Sequence, residues 1–219
     1  MVISLRKKFI YFVIPKTGSA TLRKALSPYI DIRRPTQHFS EHVPIRRFLQ
    51  SQHSGLTEEF FKFSFVRNPY DRLYSGFQQD LLAAYNLKHW EAVKKPIFDK
   101  IGQNFNRYIQ EYVTVADIRN DPFWICFCPM NEFTHRDGKL FVDFVGKAEC
   151  LWDDAKKLEA LLDIECLQTE DLNVRDASRT PLKYVKHYNR RSIEIVNEIY
   201  AEDFRYYGYD ALSPKDFPL

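Results

Sequence analysis

The stretch Tyr11–Leu26, "YFVIPKTGSATLRKAL", constrains the fold more than any other part of the chain. Phe9 to Ile14 is a continuous apolar run, as expected of a strand covered on both faces. Leu22, Ala25 and Leu26 then recur at helical spacing until Pro28 ends the pattern. Strand, loop, helix leaves backbone N–H groups at the helix start without partners inside the helix, at the positive end of its dipole. That makes the loop an anion site. Lys16 adds a full charge, Gly18 lets the backbone approach a ligand closely, and Ser19 and Thr21 add hydroxyl donors. It is not a Walker A loop, because Lys16 precedes the glycine instead of following it.

The stretch "FFKFSFVRNPYDRLYSGF" repeats the same logic. Phe61, Phe63 and Phe65 alternate with Lys62 and Ser64, the period of a strand. Asn68-Pro69 reads as an N-cap followed by proline at the first helical position, where its missing N–H costs nothing. Asp71 suits the first turn, and Leu73, Phe77 and Leu81 carry a helical stripe to about Tyr85. Strand ends of a parallel sheet share one edge, where ligands bind. Lys16 and Arg67 are therefore expected at one edge, with Ser75 two turns into the following helix, able to grip a second phosphate.

Further along, Ile97, Ile101, Phe105 and Ile109 predict a helix over Ile97–Tyr112, and Asp137-Gly138 marks a hairpin. Leu151, Ala155, Leu158 and Leu162 predict another helix, and Ile195, Ile199 and Phe204 a last one within Tyr188–Tyr207. This alternation predicts an α/β fold: a three-layer, P-loop-like domain with a central, mostly parallel sheet flanked by helices. A chain of 219 residues suits one domain, or one with a substantial insertion, and 45% hydrophobic content is ample for its core.

The net charge of +3 fits anionic ligands but falls short of a nucleic-acid footprint, so no nucleic-acid partner is expected. Cys126, Cys128, Cys150 and Cys166 match no zinc or redox spacing; buried thiols are the reading for the first two, and no metal is expected. The apolar run Phe9–Ile14 is too short for a signal segment, and none reaches the ~18 residues of a membrane span. A cytoplasmic protein is the expectation.

With both motifs in view, the chain is similar to a known family. "IPKTGSATL" resembles the 5′-phosphosulfate loop, and "FVRNPYDRLYSGF" the 3′-phosphate motif, of sulfotransferases that use 3′-phosphoadenosine 5′-phosphosulfate (PAPS). The carbohydrate-type group, sulfotransferase family 2, is the nearest match. "DFVGKAECLWDDAKKL" and "IVNEIYAEDFRYYGYD" resemble two later segments of that family, so the likeness runs through nearly the whole chain. Two positions depart from its pattern: Ala20 replaces a usual hydroxyl residue, and Lys147 a common arginine.

The resemblance implies PAPS as co-substrate, no metal, and a hydroxylated, carbohydrate-containing acceptor. It assigns Lys16 to the leaving oxygen, and Thr17, Gly18, Ser19, Ala20 and Thr21 to the 5′-phosphate, Ala20 by its backbone. Arg67 and Ser75 take the 3′-phosphate, and Arg179 is a candidate to close over it from a late loop. For the general base the family points to "PTQHFSEHVPIRRFL", where His42 is preferred, with His38 and Glu41 as alternatives. His53, His89, His135 and His187 read as surface residues. The stretch 83–129 is expected to be a helical acceptor-binding region within one 1–219 domain. Its Trp90, Phe105, Tyr108, Tyr112 and Trp124 serve either to stack on sugar rings or to pack a core. A binding domain of the same fold without catalysis is the alternative to an enzyme.

Overall fold

The structure is a computed structural model that describes residues 1–33, 41–165 and 184–218. These residues group into two compact units, each built from separate chain segments: 1–67 with 130–165, and 68–129 with 184–218.

The first unit holds a five-stranded sheet in the order β3-β1-β2-β4-β7. Its strands are β1 (Val2–Ser4), β2 (Phe9–Tyr11), β3 (Ile32–Arg33), β4 (Phe61–Val66) and β7 (Phe144–Lys147). Between β4 and β7 the chain also forms a hairpin of β5 (His135–Arg136) and β6 (Lys139–Leu140). The pairs β2–β4 and β4–β7 are parallel, as the two strand–loop–helix patterns demand, with Phe9 opposite Phe61 and Val66 opposite Lys147. β1 lies between β3 and β2 and is antiparallel to both. The hairpin turns at Asp137-Gly138, both at positive φ, as a tight two-residue turn requires.

Helices cover both faces of this sheet. On one, α1 (Ser19–Ala25) and α6 (Leu151–Leu162) bury Leu22, Leu26, Leu151, Ala155 and Leu158 against Phe9, Tyr11, Phe63 and Phe65. On the other, Phe12 meets edge-on both Phe48 of α2 (Ile45–Phe48), at 5.6 Å, and Phe141, at 6.1 Å. The alternation of Tyr11 and Phe12 between faces is the period-two geometry of extended chain. β7 lies close against β4 because Gly146 has no side chain. A Cβ there would sit 2.4 Å from the ring of Phe65, which is itself fully buried. Gly146→Ala is therefore expected to lower stability by about 1–3 kcal/mol, the usual cost of overpacking. Chemical denaturation checks this, and an unchanged midpoint would mean that the two strands separate freely.

The second unit is helical: α3 (Pro69–Asn86), α4 (Lys88–Ile101), α5 (Phe105–Tyr108), α7 (Arg190–Ile199) and α8 (Ala201–Tyr207). Asn68 caps α3 as expected, its side chain accepting from the Tyr70 amide. The single helix expected over Ile97–Tyr112 is instead broken. Gly102 stops α4 at positive φ, Asn104 caps α5 by accepting from the Arg107 amide, and a π-helical turn follows at Ile109–Val113. The last helix likewise divides at Tyr200 into α7 and α8. The core gathers aromatics, and Tyr70, Tyr188 and Tyr200 place their hydroxyls on partners within it. Burial pushes the Tyr70 phenol up to about 12. Lys94 and Asp80 are fully buried as a pair 2.7 Å apart, with the Tyr108 hydroxyl donating to Asp80 at 2.6 Å and the Trp124 ring 3.1 Å from the ammonium. Lys94 Nζ also donates to the Tyr108 hydroxyl at 3.0 Å, so that hydroxyl offsets part of the desolvation of both charges.

Candidate functional site

The apolar run that begins as β2 continues, still buried, through Ile14 and Pro15 and then turns sharply. Two residues of the turn have left-handed backbone: Lys16 at φ 69° and Gly18 at φ 77°. For Gly18 this conformation is free of strain, but for a lysine it costs on the order of 1–3 kcal/mol. Such strain persists only where the surrounding structure imposes it, and it collects at ligand clamps. Gly18 is also the N-cap of α1, and the first helical bonds run from the Thr21 and Leu22 amides to its carbonyl. The amides of Gly18, Ser19 and Ala20 therefore precede the helical ladder and have no acceptor within the helix. Successive amides around left-handed residues form a concavity that receives anions. Leu151 of α6 packs on this loop, 3.2 Å from where a Gly18 Cβ would be.

The side chains of the loop divide. Lys16 is half-buried and Ala20 exposed. Thr17 is fully buried, and its hydroxyl donates to the Ile14 carbonyl at 3.0 Å, which fixes the turn from beneath. Of the hydroxyls assigned to a phosphate, Thr17 is thus engaged with the chain itself and Ser19 is nearly covered, while Thr21 is half-buried.

Arg67 follows directly on β4, and its Nη1 donates to the Lys16 carbonyl at 3.4 Å. The expected meeting of the two motifs at one sheet edge is therefore present, made by the parallel β2–β4 pair. Lys147 ends β7 at that edge, in register with Val66, and its amide donates to Asp154 at 2.8 Å. Ser75 is half-buried on α3, within the second unit.

His42 lies beside the strand that feeds the loop, its Nδ1 3.0 Å from the Val13 carbonyl. A carbonyl only accepts, so the neutral ring carries its proton on Nδ1 and presents Nε2 as a lone pair. Glu41, one residue earlier, is bound in an ion pair with Arg23 and faces Arg33 at 3.8 Å. Both of its carboxylate oxygens thus face arginine side chains. His38 and Arg179 lie outside the described residues, as does Cys166.

In the second unit, Phe105, Tyr108 and Trp124 are core residues, so the packing role holds for them, while Trp90 and Tyr112 keep partial exposure. His187 is exposed, yet its ring stacks on Tyr74 at 4.4 Å, and Tyr74 stacks on Tyr184 at 4.7 Å. Cys126 and Cys128 are buried thiols, and Cys150 is exposed. Among the described residues no group of three or more acidic, histidine or cysteine side chains is arranged to hold a metal ion. Nor is any helix among them long and apolar enough to cross a membrane.

Sequence reasoning missed two features here: the left-handed Lys16 and the Arg23–Glu41 pair. The first left no signal, because lysine rarely adopts that conformation. The second joins residues too far apart for any periodicity to reveal.

Comparison with curated proteins and with solved structures returns no match. A model described as the sulfotransferase family matches residues 1–210, nearly the whole chain and both motifs of the loop edge. With a lysine-bearing anion loop and an arginine brought onto it from the next parallel strand, the chain belongs to the sulfotransferase family.

Proposed function

We propose that this protein transfers a sulfuryl group from PAPS to a hydroxyl of a carbohydrate-containing acceptor. The observation that carries the reading is the Arg67 guanidinium on the Lys16 carbonyl, which unites the two phosphate motifs at one sheet edge. The carbohydrate class of the acceptor is supported by the likeness of the motifs to the carbohydrate-type group.

PAPS supplies an activated sulfuryl group attached to a phosphate leaving group. On the side of the chain, the Gly18, Ser19 and Ala20 amides receive the 5′-phosphate, and the absence of a hydroxyl at Ala20 leaves that work to the backbone. The Lys16 ammonium stabilises the negative charge that grows on the leaving oxygen. Arg67 recognises the 3′-phosphate through charge-assisted hydrogen bonds. His42 Nε2 takes the proton of the acceptor hydroxyl as its oxygen bonds to sulfur and the sulfur–phosphate oxygen bond breaks. In-line transfer of this kind needs positioning and charge stabilisation more than covalent chemistry by the protein.

Two measurements test the reading. Incubation of labelled PAPS with a panel of saccharides is expected to yield labelled sulfate ester and 3′-phosphoadenosine 5′-phosphate. Nucleotide binding with no transfer to any saccharide or simple phenol would favour the non-catalytic binding domain instead. The second concerns Arg67. Arg67→Ala is expected to reduce the preference for 3′-phosphorylated over unphosphorylated adenosine nucleotides by about 1.5–3 kcal/mol, the range for a charge-assisted hydrogen bond. Titration calorimetry of both nucleotides reads this difference, and an intact preference would remove Arg67 from the 3′-phosphate.

A further inference from the structure

Arg23 holds two parts of the candidate site at once. It lies on α1, one turn beyond the loop, and its Nε donates to the carbonyl of Ser19, the first residue after Gly18, at 3.1 Å. Its Nη1 pairs with the carboxylate of Glu41, the residue before His42. The other Glu41 oxygen faces Arg33 Nη1 at 3.8 Å, and Arg33 is in turn tied to the Ser27 hydroxyl at 3.1 Å. The Arg23 and Glu41 side chains are only 21% and 17% exposed, so this pair differs from the solvated kind that contributes little. Beyond His42, Val43, Pro44 and Ile45 are buried, so the segment is held on both sides of the histidine.

We propose that Arg23 is a positioning residue: through Ser19 on one side and Glu41 on the other, it fixes His42 relative to the Lys16–Ser19 loop. The inference rests on the transferase reading given above. A base contributes only when its lone pair is within hydrogen-bonding reach of the proton, and a displacement near 1 Å costs about a hundredfold in rate. The His42–Val13 bond sets which nitrogen is the acceptor, and the Arg23–Glu41 pair sets where that nitrogen stands. Arg23 touches no reacting atom in this scheme.

The test uses the full chain with Arg23→Gln and Arg23→Lys. Thermal unfolding first establishes that each variant is folded. Nitrogen-detected NMR of the His42 ring is expected to show one Nδ1–H tautomer in the parent protein and a mixture in Arg23→Gln. Affinity for 3′-phosphoadenosine 5′-phosphate should change by less than about threefold, while turnover with PAPS falls about tenfold to a hundredfold. Arg23→Lys, which keeps both a donor for the Ser19 carbonyl and a cation for Glu41, should restore much of both signals. An unchanged ring tautomer and turnover in folded Arg23→Gln would overturn the inference. So would a loss of nucleotide affinity as large as the loss of turnover, since Arg23 would then support the loop alone. Failure of the parent protein to bind the nucleotide would instead overturn the transferase reading, while the NMR result would still judge the tether.

Discussion

Lys16→Ala is expected to lower turnover by about 10²–10³, the usual consequence of removing one electrostatic stabiliser of a transition state, while leaving affinity for the bisphosphate product much less affected. The separation of the two effects follows from where the charge develops. A group that contacts the leaving oxygen interacts more strongly as the bond to sulfur breaks than it does in the ground state. Its loss therefore appears in kcat more than in binding. The amides of Gly18, Ser19 and Ala20 remain in the variant, so phosphate binding is expected to persist. Relief of the left-handed strain at position 16 is not expected, because alanine carries the same Cβ. Single-turnover kinetics alongside calorimetry measures both quantities. A variant with near-normal turnover and poor nucleotide binding would make Lys16 an anchor and not a catalytic group.

His42→Ala is expected to reduce transfer by roughly 10²–10⁴, the range for a general base, with nucleotide affinity unchanged. The Val13 carbonyl is the reason for choosing this ring: it holds the proton on Nδ1 and leaves Nε2 able to accept. Activity should fall toward acid as the imidazole is protonated, and that acid limb should disappear in the variant. Glu41→Gln should disturb the rate by displacing His42 and not by removing a base, since its carboxylate is engaged by Arg23. If His42→Ala stays fully active while His38→Ala is inactive, the base is His38.

Much of the site was legible because it is built from local signals. The apolar runs before Lys16 and Arg67, the Asn68-Pro69 cap and the Asp137-Gly138 turn each stand where local physical preferences put them. Two such strands in parallel then bring Lys16 and Arg67 together with no further information. What escaped is non-local or masked by periodicity. β1 is three residues long and is stabilised by pairing with β2 and β3, a contact that no local pattern announces. The break at Gly102 was hidden because Ile101 and Phe105 continue the helical spacing across it, although Gly102 and the Asn104 cap end one helix and start another. The aromatics between Trp90 and Trp124 carried no sign of which side chains a core would take. Packing buried Phe105, Tyr108 and Trp124 and left Trp90 partly open.

The central claim is that this anion edge recognises a nucleotide carrying phosphates at both the 3′ and 5′ positions. Titration calorimetry of the parent protein with 3′-phosphoadenosine 5′-phosphate, AMP and ATP tests it most directly. The account predicts tightest binding of the bisphosphate, with the advantage over AMP reduced in Arg67→Ala. Equal affinity for the bisphosphate and AMP, or a preference for ATP, would contradict it.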